Sequence, residues 1–227
     1  MLWALASFML LLSVAAALVT TTVNLLLYDP GYYAQGQARY AVGRTTEYSL
    51  EALQPVDRAI VRFFRSPGVS LPNALGEAGA DRDVFNQREI GHMEDVRDIV
   101  RLVGRIQTAS LALIAALALS RLVGRGWSAF AWIANRALAG ALLTVGAIGA
   151  LGALALVDFR SLFLQFHLLS FDNDLWQLDP GRDNLIRFFP FAFWFDATVT
   201  VALRSVLSAL VVAAAALWMR RLVGRTV

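Results

Sequence analysis

The chain contains two histidines, and the first of them, His92, lies in an acidic stretch. On a helix, Glu89 three residues before it and Asp95 three residues after it project near the same face as the imidazole. A neighbouring carboxylate orients an imidazole and raises its pKa, an arrangement typical of general acids and bases that work near neutral pH. On this stretch alone, a surface histidine on a charged helix is the favoured interpretation, and a catalytic histidine is the alternative.

The second histidine, His167, lies where an aromatic run meets the polar stretch Asp172, Asn173 and Asp174. Two imidazoles with carboxylates and an amide suit acid and base catalysis on an acyl group. The same groups suit a zinc or non-haem iron site, although the chain has no HExxH motif or other close histidine pair. A serine hydrolase is a third possibility, because Ser170 follows His167 by three residues, but it lies outside any GxSxG turn.

These residues belong to a membrane protein. Of the 227 residues, 58% are hydrophobic and only 16% are charged, which is outside the range of soluble domains. All 20 basic residues are arginines and are spread evenly, so the chain has no nucleic-acid footprint and we expect no nucleic-acid partner. The absence of cysteine excludes disulfides, thiolate metal ligands and a cysteine nucleophile.

Four apolar runs predict an all-α membrane protein with four transmembrane helices. The first run is uncharged and lacks a basic n-region, which favours an uncut span over a cleaved signal peptide. The third and fourth runs contain Arg136 and Arg204, whose lack of neighbouring acids makes a transporter a weak alternative. The four predicted spans are residues 1–27, 101–120, 127–157 and 191–219.

Charge in the short connections sets the predicted orientation. The loop 121–126 and the tail 220–227 carry arginines, which places both on the cytoplasmic side. Segments 28–100 and 158–190 are then extracytoplasmic, and their dense aromatic residues are typical of the headgroup level. We expect these two segments to form a small cap at the membrane surface.

Apolar spacing within the first cap segment predicts a helix over 47–64. Prolines and glycines predict turns over 66–80, and a second helix over 84–97 should continue directly into the second span.

Two blocks of the cap carry a family resemblance. The first is F-N-x-R-E-I-x-H-M-x-D-V-R, from Phe85 to Arg97; the second is F-H-x-x-x-F-x-N-D-x-W-x-L-D-P-x-x-D-x-L-I-x-x-F-P, from Phe166 to Pro190. Together with the four-span layout, they resemble the lipoprotein intramolecular transacylases, the Lit family.

The resemblance implies an enzyme that acts on diacylglyceryl-modified bacterial lipoproteins after their signal peptide is removed. Members move the sn-2 acyl chain to the α-amino group of the N-terminal cysteine and leave a lyso-form lipoprotein. It implies no cofactor and no metal, a location in the bacterial cell membrane among membrane lipid, and an active site at the outer face. His92 and His167 match the catalytic pair. We expect His167 to be the base on the amine and His92 the donor toward the oxyanion or leaving oxygen.

The remaining candidates surround this pair. We expect Glu89 and Asp95 to orient His92, and Asn173 and Asp174 to bind the amine or orient His167. An aromatic pocket wall would fix a near-attack conformation of the flexible diacylglycerol; its candidates are Phe166, Phe171 and Trp176. A metal-dependent membrane hydrolase and a non-catalytic lipid-binding protein are the alternatives.

Overall fold

The computed structural model describes residues 2–224; residue 1 and residues 225–227, the end of the predicted tail, lie outside the described part. Over that part the chain is helical and contains no strand, in agreement with the predicted fold class. The helices are α1 (Leu2–Leu27), α2 (Pro30–Arg39), α3 (Val42–Thr45), α4 (Leu50–Arg65), α5 (Leu71–Ala78), α6 (Gln87–Arg125), α7 (Ala129–Ser170), α8 (Asn184–Phe188) and α9 (Phe191–Val223).

Three helical stretches of the described chain are long and apolar enough to cross a membrane. They are Trp3–Leu27, Gln87–Ser170 and Phe191–Val223. The second has 84 residues and contains both α6 and α7, which are joined by a 3-10 turn at Gly126–Ser128. The protein is therefore an all-α membrane protein, and its division into four spans stays a prediction.

The chain forms two compact units. One comprises Val103–Val157 with the stretches up to Val23 and from Thr200 onwards. Its helices approach closely, because a Cβ at Gly140 would lie 2.7 Å from the carbonyl oxygen of Leu11. Polar side chains also pair between its helices: the hydroxyls of Thr22 and Ser205 are 2.7 Å apart. Small residues and interhelical hydrogen bonds of this kind stabilise helix packing in lipid.

The other unit comprises Asn24–Leu102 and Asp158–Val199 and contains both histidines. Its core is built around α4, whose apolar face is buried. The turns predicted over 66–80 are wrong in part, because α5 occupies Leu71–Ala78. Ser70 caps its N-terminus and Gly79 ends it with a φ of 80°. Serine, proline and glycine therefore mark the start and end of a helix here, not successive turns.

A kink in α7 positions the second histidine. Asp158 has non-helical backbone angles, and its carboxylate accepts hydrogen bonds from the backbone N–H and the hydroxyl of Ser161 at 3.0 and 2.6 Å. Asp158 thus acts as the N-cap of the last part of α7. His167 lies on this last part of α7, beyond the predicted end of the third span at residue 157.

Candidate active site

The two histidines lie side by side in the second unit. Their ring centroids are 6.1 Å apart and the ring planes are inclined by 31°. Both side chains are buried, with exposed fractions of 8% for His92 and 7% for His167. The fold thus brings together the two residues that the sequence singled out for catalysis.

His167 is held in one tautomer. Its Nδ1 lies 2.8 Å from the carbonyl oxygen of Phe163, and a carbonyl can only accept, so Nδ1 carries the hydrogen. Burial lowers the pKa of the imidazole, although the Phe163 carbonyl opposes this effect. His167 is therefore neutral near pH 7 and presents the lone pair of Nε2, as a general base requires.

His92 is also neutral. Burial, followed by the charge of His167, lowers its pKa to about 4, and the opposing effect of Asp95 is smaller. Its Nδ1 is enclosed and has no hydrogen-bond partner among the described residues. A substrate would therefore reach Nε2, and a neutral His92 can donate a hydrogen bond but holds no spare proton at neutral pH.

Aromatic rings surround the pair. The ring centroids of Phe166, Phe171 and Trp176 lie 5.3, 5.5 and 5.1 Å from that of His167. Phe171 also meets His92 edge-on at 5.1 Å. The three aromatic residues predicted for the pocket wall therefore all contact the histidines.

An open cavity of about 550 Å³ reaches His167. Its lining is mostly apolar, and the exposed Leu164 and Leu168 form part of it, as an acyl chain would require. Phe166, Phe171 and His92 do not line this cavity. The lining residues are Phe163, Leu164, His167, Leu168, Trp176, Gln177, Leu178 and Ile186.

Glu89 is directed away from His92. Its Oε2 accepts from the backbone N–H of Asn86 at 2.8 Å, while Asn86 Oδ1 accepts from the N–H of Glu89 at 3.1 Å, which is a capping box at the start of α6. Its Oε1 accepts from the N–H of Leu185 in α8 at 2.5 Å. The structure thus places Glu89, which is 1% exposed, on backbone N–H groups and not on the imidazole it was expected to orient.

The other polar candidates connect α6 to the loop that follows α7. Asp95 Oδ2 accepts from Nδ2 of Asn173 at 2.8 Å. Asp174 pairs with Arg88 at 3.3 Å, and Arg88 also donates to the Asp174 carbonyl oxygen. No side-chain hydrogen bond joins Asn173 or Asp174 to His167 among the described residues. These contacts hold the loop over the histidines.

Metal-binding side chains are not clustered in the described part of the chain: no group of three or more His, Asp and Glu residues there is placed to hold a metal ion. The carboxylate of Asp95, three residues after His92, is engaged by Asn173.

Comparison with known proteins identifies the family of the chain. The sequence model of the lipoprotein intramolecular transacylase Lit family matches residues 8–194. The chain belongs to the Lit family. An uncharacterized protein of Aquifex aeolicus (strain VF5) is 30% identical over 129 residues, which cover 56% of this chain. The matched stretch covers 54% of that relative, about half its length.

Solved structures of a Lit protein share the fold. The membrane-integral lipoprotein intramolecular transacylase Lit from Bacillus cereus is 17% identical, with a TM-score of 0.80, over 96% of this chain and 95% of that chain. A histidine-to-arginine variant of the same protein is 16% identical, with a TM-score of 0.78, over 98% of this chain and 94% of that chain. At this identity the likeness concerns the fold alone.

The sequence analysis missed several contacts around the two histidines. Asn86 and Glu89 form an N-x-x-E capping box, a signal visible in the sequence. Gly91 admits the loop, because a Cβ there would lie 2.9 Å from Cδ1 of Leu175. Asp183 accepts from Nδ2 of Asn86 at 2.8 Å and is buried. The packing at Gly91 and the hydrogen bond of Asp183 depend on contacts between distant segments, for which one sequence offers no signal.

Proposed function

We propose that this Lit family protein catalyses intramolecular O-to-N acyl transfer on bacterial lipoproteins. The sn-2 acyl chain of the diacylglyceryl group would move to the α-amino group of the N-terminal cysteine and leave the lyso-form lipoprotein. The observation that carries this proposal is the neutral His92 and His167 pair, 6.1 Å apart between ring centroids, beside a largely apolar cavity. Acyl transfer to an amine requires those two features together: proton transfer and a place for an acyl chain.

The proposed reaction balances in its bonds and protons. The neutral α-amine attacks the ester carbonyl carbon, and Nε2 of His167 takes one proton from the nitrogen. The carbon–oxygen bond of the ester then breaks, and the proton passes from His167 to the departing glycerol oxygen. An ester and an amine give an amide and an alcohol. Because donor and acceptor belong to one molecule, the reaction needs no acyl-enzyme.

The surrounding residues divide the remaining tasks in this proposal. His92 donates an N–H toward the oxyanion or the leaving oxygen, and Phe166, Phe171 and Trp176 confine the substrate near its attack geometry. Asp95, Asn173 and Asp174 position the loop. Glu89 positions the starts of α6 and α8 and so acts on His92 through the backbone.

We place the reaction at the outer face of the bacterial cell membrane. Four spans, with the arginine-rich loop 121–126 and the tail 220–227 on the cytoplasmic side, put both histidine-bearing segments outside. The partners on that face are then the surrounding membrane lipid and lipoproteins that have lost their signal peptide.

Mass spectrometry of a lipoprotein N-terminus tests the proposal. A diacylated lipoprotein is co-expressed with the wild type, with His167→Ala, or with Gln165→Ala, a control at an exposed position of α7. Because transfer leaves the mass unchanged, the isolated lipopeptide is treated with mild base, which removes ester-linked chains but spares an amide.

With the wild type and Gln165→Ala, one acyl chain should survive this treatment and map to the N-terminal residue. With His167→Ala, none should survive. Loss of every chain with the wild type would refute the proposed function. Retention of an amide-linked chain with His167→Ala would remove His167 from its role as base.

A further inference from the structure

The cavity beside His167 needs a hydrogen-bond donor that the histidine itself does not supply. With Nδ1 committed to the Phe163 carbonyl oxygen at 2.8 Å, Nε2 is an acceptor until it takes a proton. Attack on the ester develops negative charge on the carbonyl oxygen, and donors aimed at that oxygen are a large contribution to catalysis. His92 is the donor assigned so far, and it does not line the cavity.

Among the residues that line this cavity, side-chain polar groups belong to His167, Trp176 and Gln177 only. The indole N–H of Trp176 is already used, because it donates to the carbonyl oxygen of Asn173 at 2.9 Å. The carboxamide of Gln177 makes no hydrogen bond to any residue of the described range, and its side chain is exposed. Gln177 is thus the cavity residue with free N–H donors.

The backbone of Gln177 is nevertheless fixed. Its N–H donates to the carbonyl oxygen of Asp174 at 3.1 Å, and the same oxygen accepts from Arg88 of α6. The next side chain before it, Trp176, lies against His167 with a centroid distance of 5.1 Å. The anchored backbone thus keeps Gln177 at the cavity before substrate binds, which limits the reorganisation that oxyanion stabilisation would require.

We propose that the carboxamide of Gln177 donates a hydrogen bond to the ester carbonyl oxygen as it becomes an oxyanion during acyl transfer. This inference rests on the proposed function and adds a second donor beside His92. This hydrogen bond is strongest in the transition state, when the carbonyl oxygen of the ester carries charge. Its removal should therefore lower kcat more than it raises KM.

Steady-state kinetics on a synthetic diacylated lipopeptide test the inference with the purified full-length protein. Gln177→Leu removes the donor, and Gln177→Glu keeps the size but offers only acceptors at neutral pH. Each should lower kcat by about 100-fold with KM within about threefold of the wild type. Gln165→Leu, at an exposed position outside the cavity, should retain the wild-type kcat. Thermal unfolding should be unchanged, because the Gln177 side chain is exposed and makes no side-chain hydrogen bond within the described range.

The possible results separate the two claims. If the wild type forms the amide and both Gln177→Glu and Gln177→Leu keep its kcat, the inference is overturned and the proposed function stays in place. The same holds if KM alone rises, since that marks ground-state binding. A wild type that forms no amide refutes the proposed function, and this inference with it.

Discussion

Gly91 of α6 and Leu175 of the loop after α7 approach so closely that a Cβ at Gly91 would lie 2.9 Å from Cδ1 of Leu175. Gly91 directly precedes His92, and Leu175 directly precedes Trp176, which contacts His167 at a centroid distance of 5.1 Å. The absence of a side chain at Gly91 thus lets the loop lie over both histidines.

Asp95 and Asn173 hold the loop, and we expect their substitutions to be non-additive. Asp95→Ala and Asn173→Ala remove the same 2.8 Å hydrogen bond, so the double variant should lose little more activity than either single variant. A coupling of about 1 kcal/mol, or about fivefold in kcat/KM, is expected for such a bond. Rates of amide formation for the four proteins of the cycle measure it.

Asp98→Asn is the matched control for this cycle. Asp98 is an exposed residue of the same helix. Its one ion-pair partner among the described residues is Arg101, three residues on and 3.3 Å away, so its substitution should leave the rate unchanged. Fully additive effects at Asp95 and Asn173 would show that the bond does not position the loop during turnover.

His92→Ala should lower kcat by about 100-fold or more, because it removes an N–H donor from the reacting oxygen. Nδ1 is enclosed by protein, so Nε2 is the nitrogen that meets substrate, and the amide of a glutamine extends to a similar position. We therefore expect His92→Gln to recover about tenfold over His92→Ala in single-turnover assays. Equal inactivity of the two variants would indicate that His92 transfers a proton, which no carboxamide can do.

Glu89→Gln should destabilise the protein by about 1–3 kcal/mol, because an amide nitrogen replaces one of two oxygens that accept from buried N–H groups. Glu94→Gln, on the exposed face of the same helix, should leave the apparent Tm unchanged. Activity of Glu89→Gln should fall with its folded fraction and keep the wild-type pH profile. A shifted profile in a fully folded Glu89→Gln protein would instead support direct contact between Glu89 and His92 during the reaction.

The sequence was sufficient to predict features that depend on local pattern. Apolar runs and their lack of charge predicted the all-α membrane fold, and the acidic and aromatic neighbours of His92 and His167 marked the catalytic candidates. Residue spacing alone could not assign the partners of Glu89. Its place three residues before His92 suggested contact, whereas the capping box with Asn86 turns the carboxylate toward the backbone.

The features that escaped prediction depend on tertiary contacts. The helix α5 was missed because Ser70 and Gly79 have the same residue types in turns and in helix caps. The cavity that Gln177 lines could not be predicted, because it depends on the loop after α7 lying over α6. A single sequence carries no signal for such long-range packing.

Asp57 provides a prediction about pH and stability that is independent of catalysis. Burial raises the pKa of its carboxyl to about 7, although the hydrogen bond from Gln37 and the charge of Arg58 oppose this. The folded state thus keeps a proton that the unfolded state loses, so the contribution of Asp57 to stability is greatest at low pH and falls as pH rises toward 7. Asparagine at position 57 cannot titrate. The apparent Tm of Asp57→Asn minus that of the wild type should therefore increase by about 5 °C from pH 5 to pH 8. Asp83→Asn, at an exposed position, should show no such trend in the same thermal scans; a pH-independent difference for Asp57→Asn would mean that the buried carboxyl ionises normally.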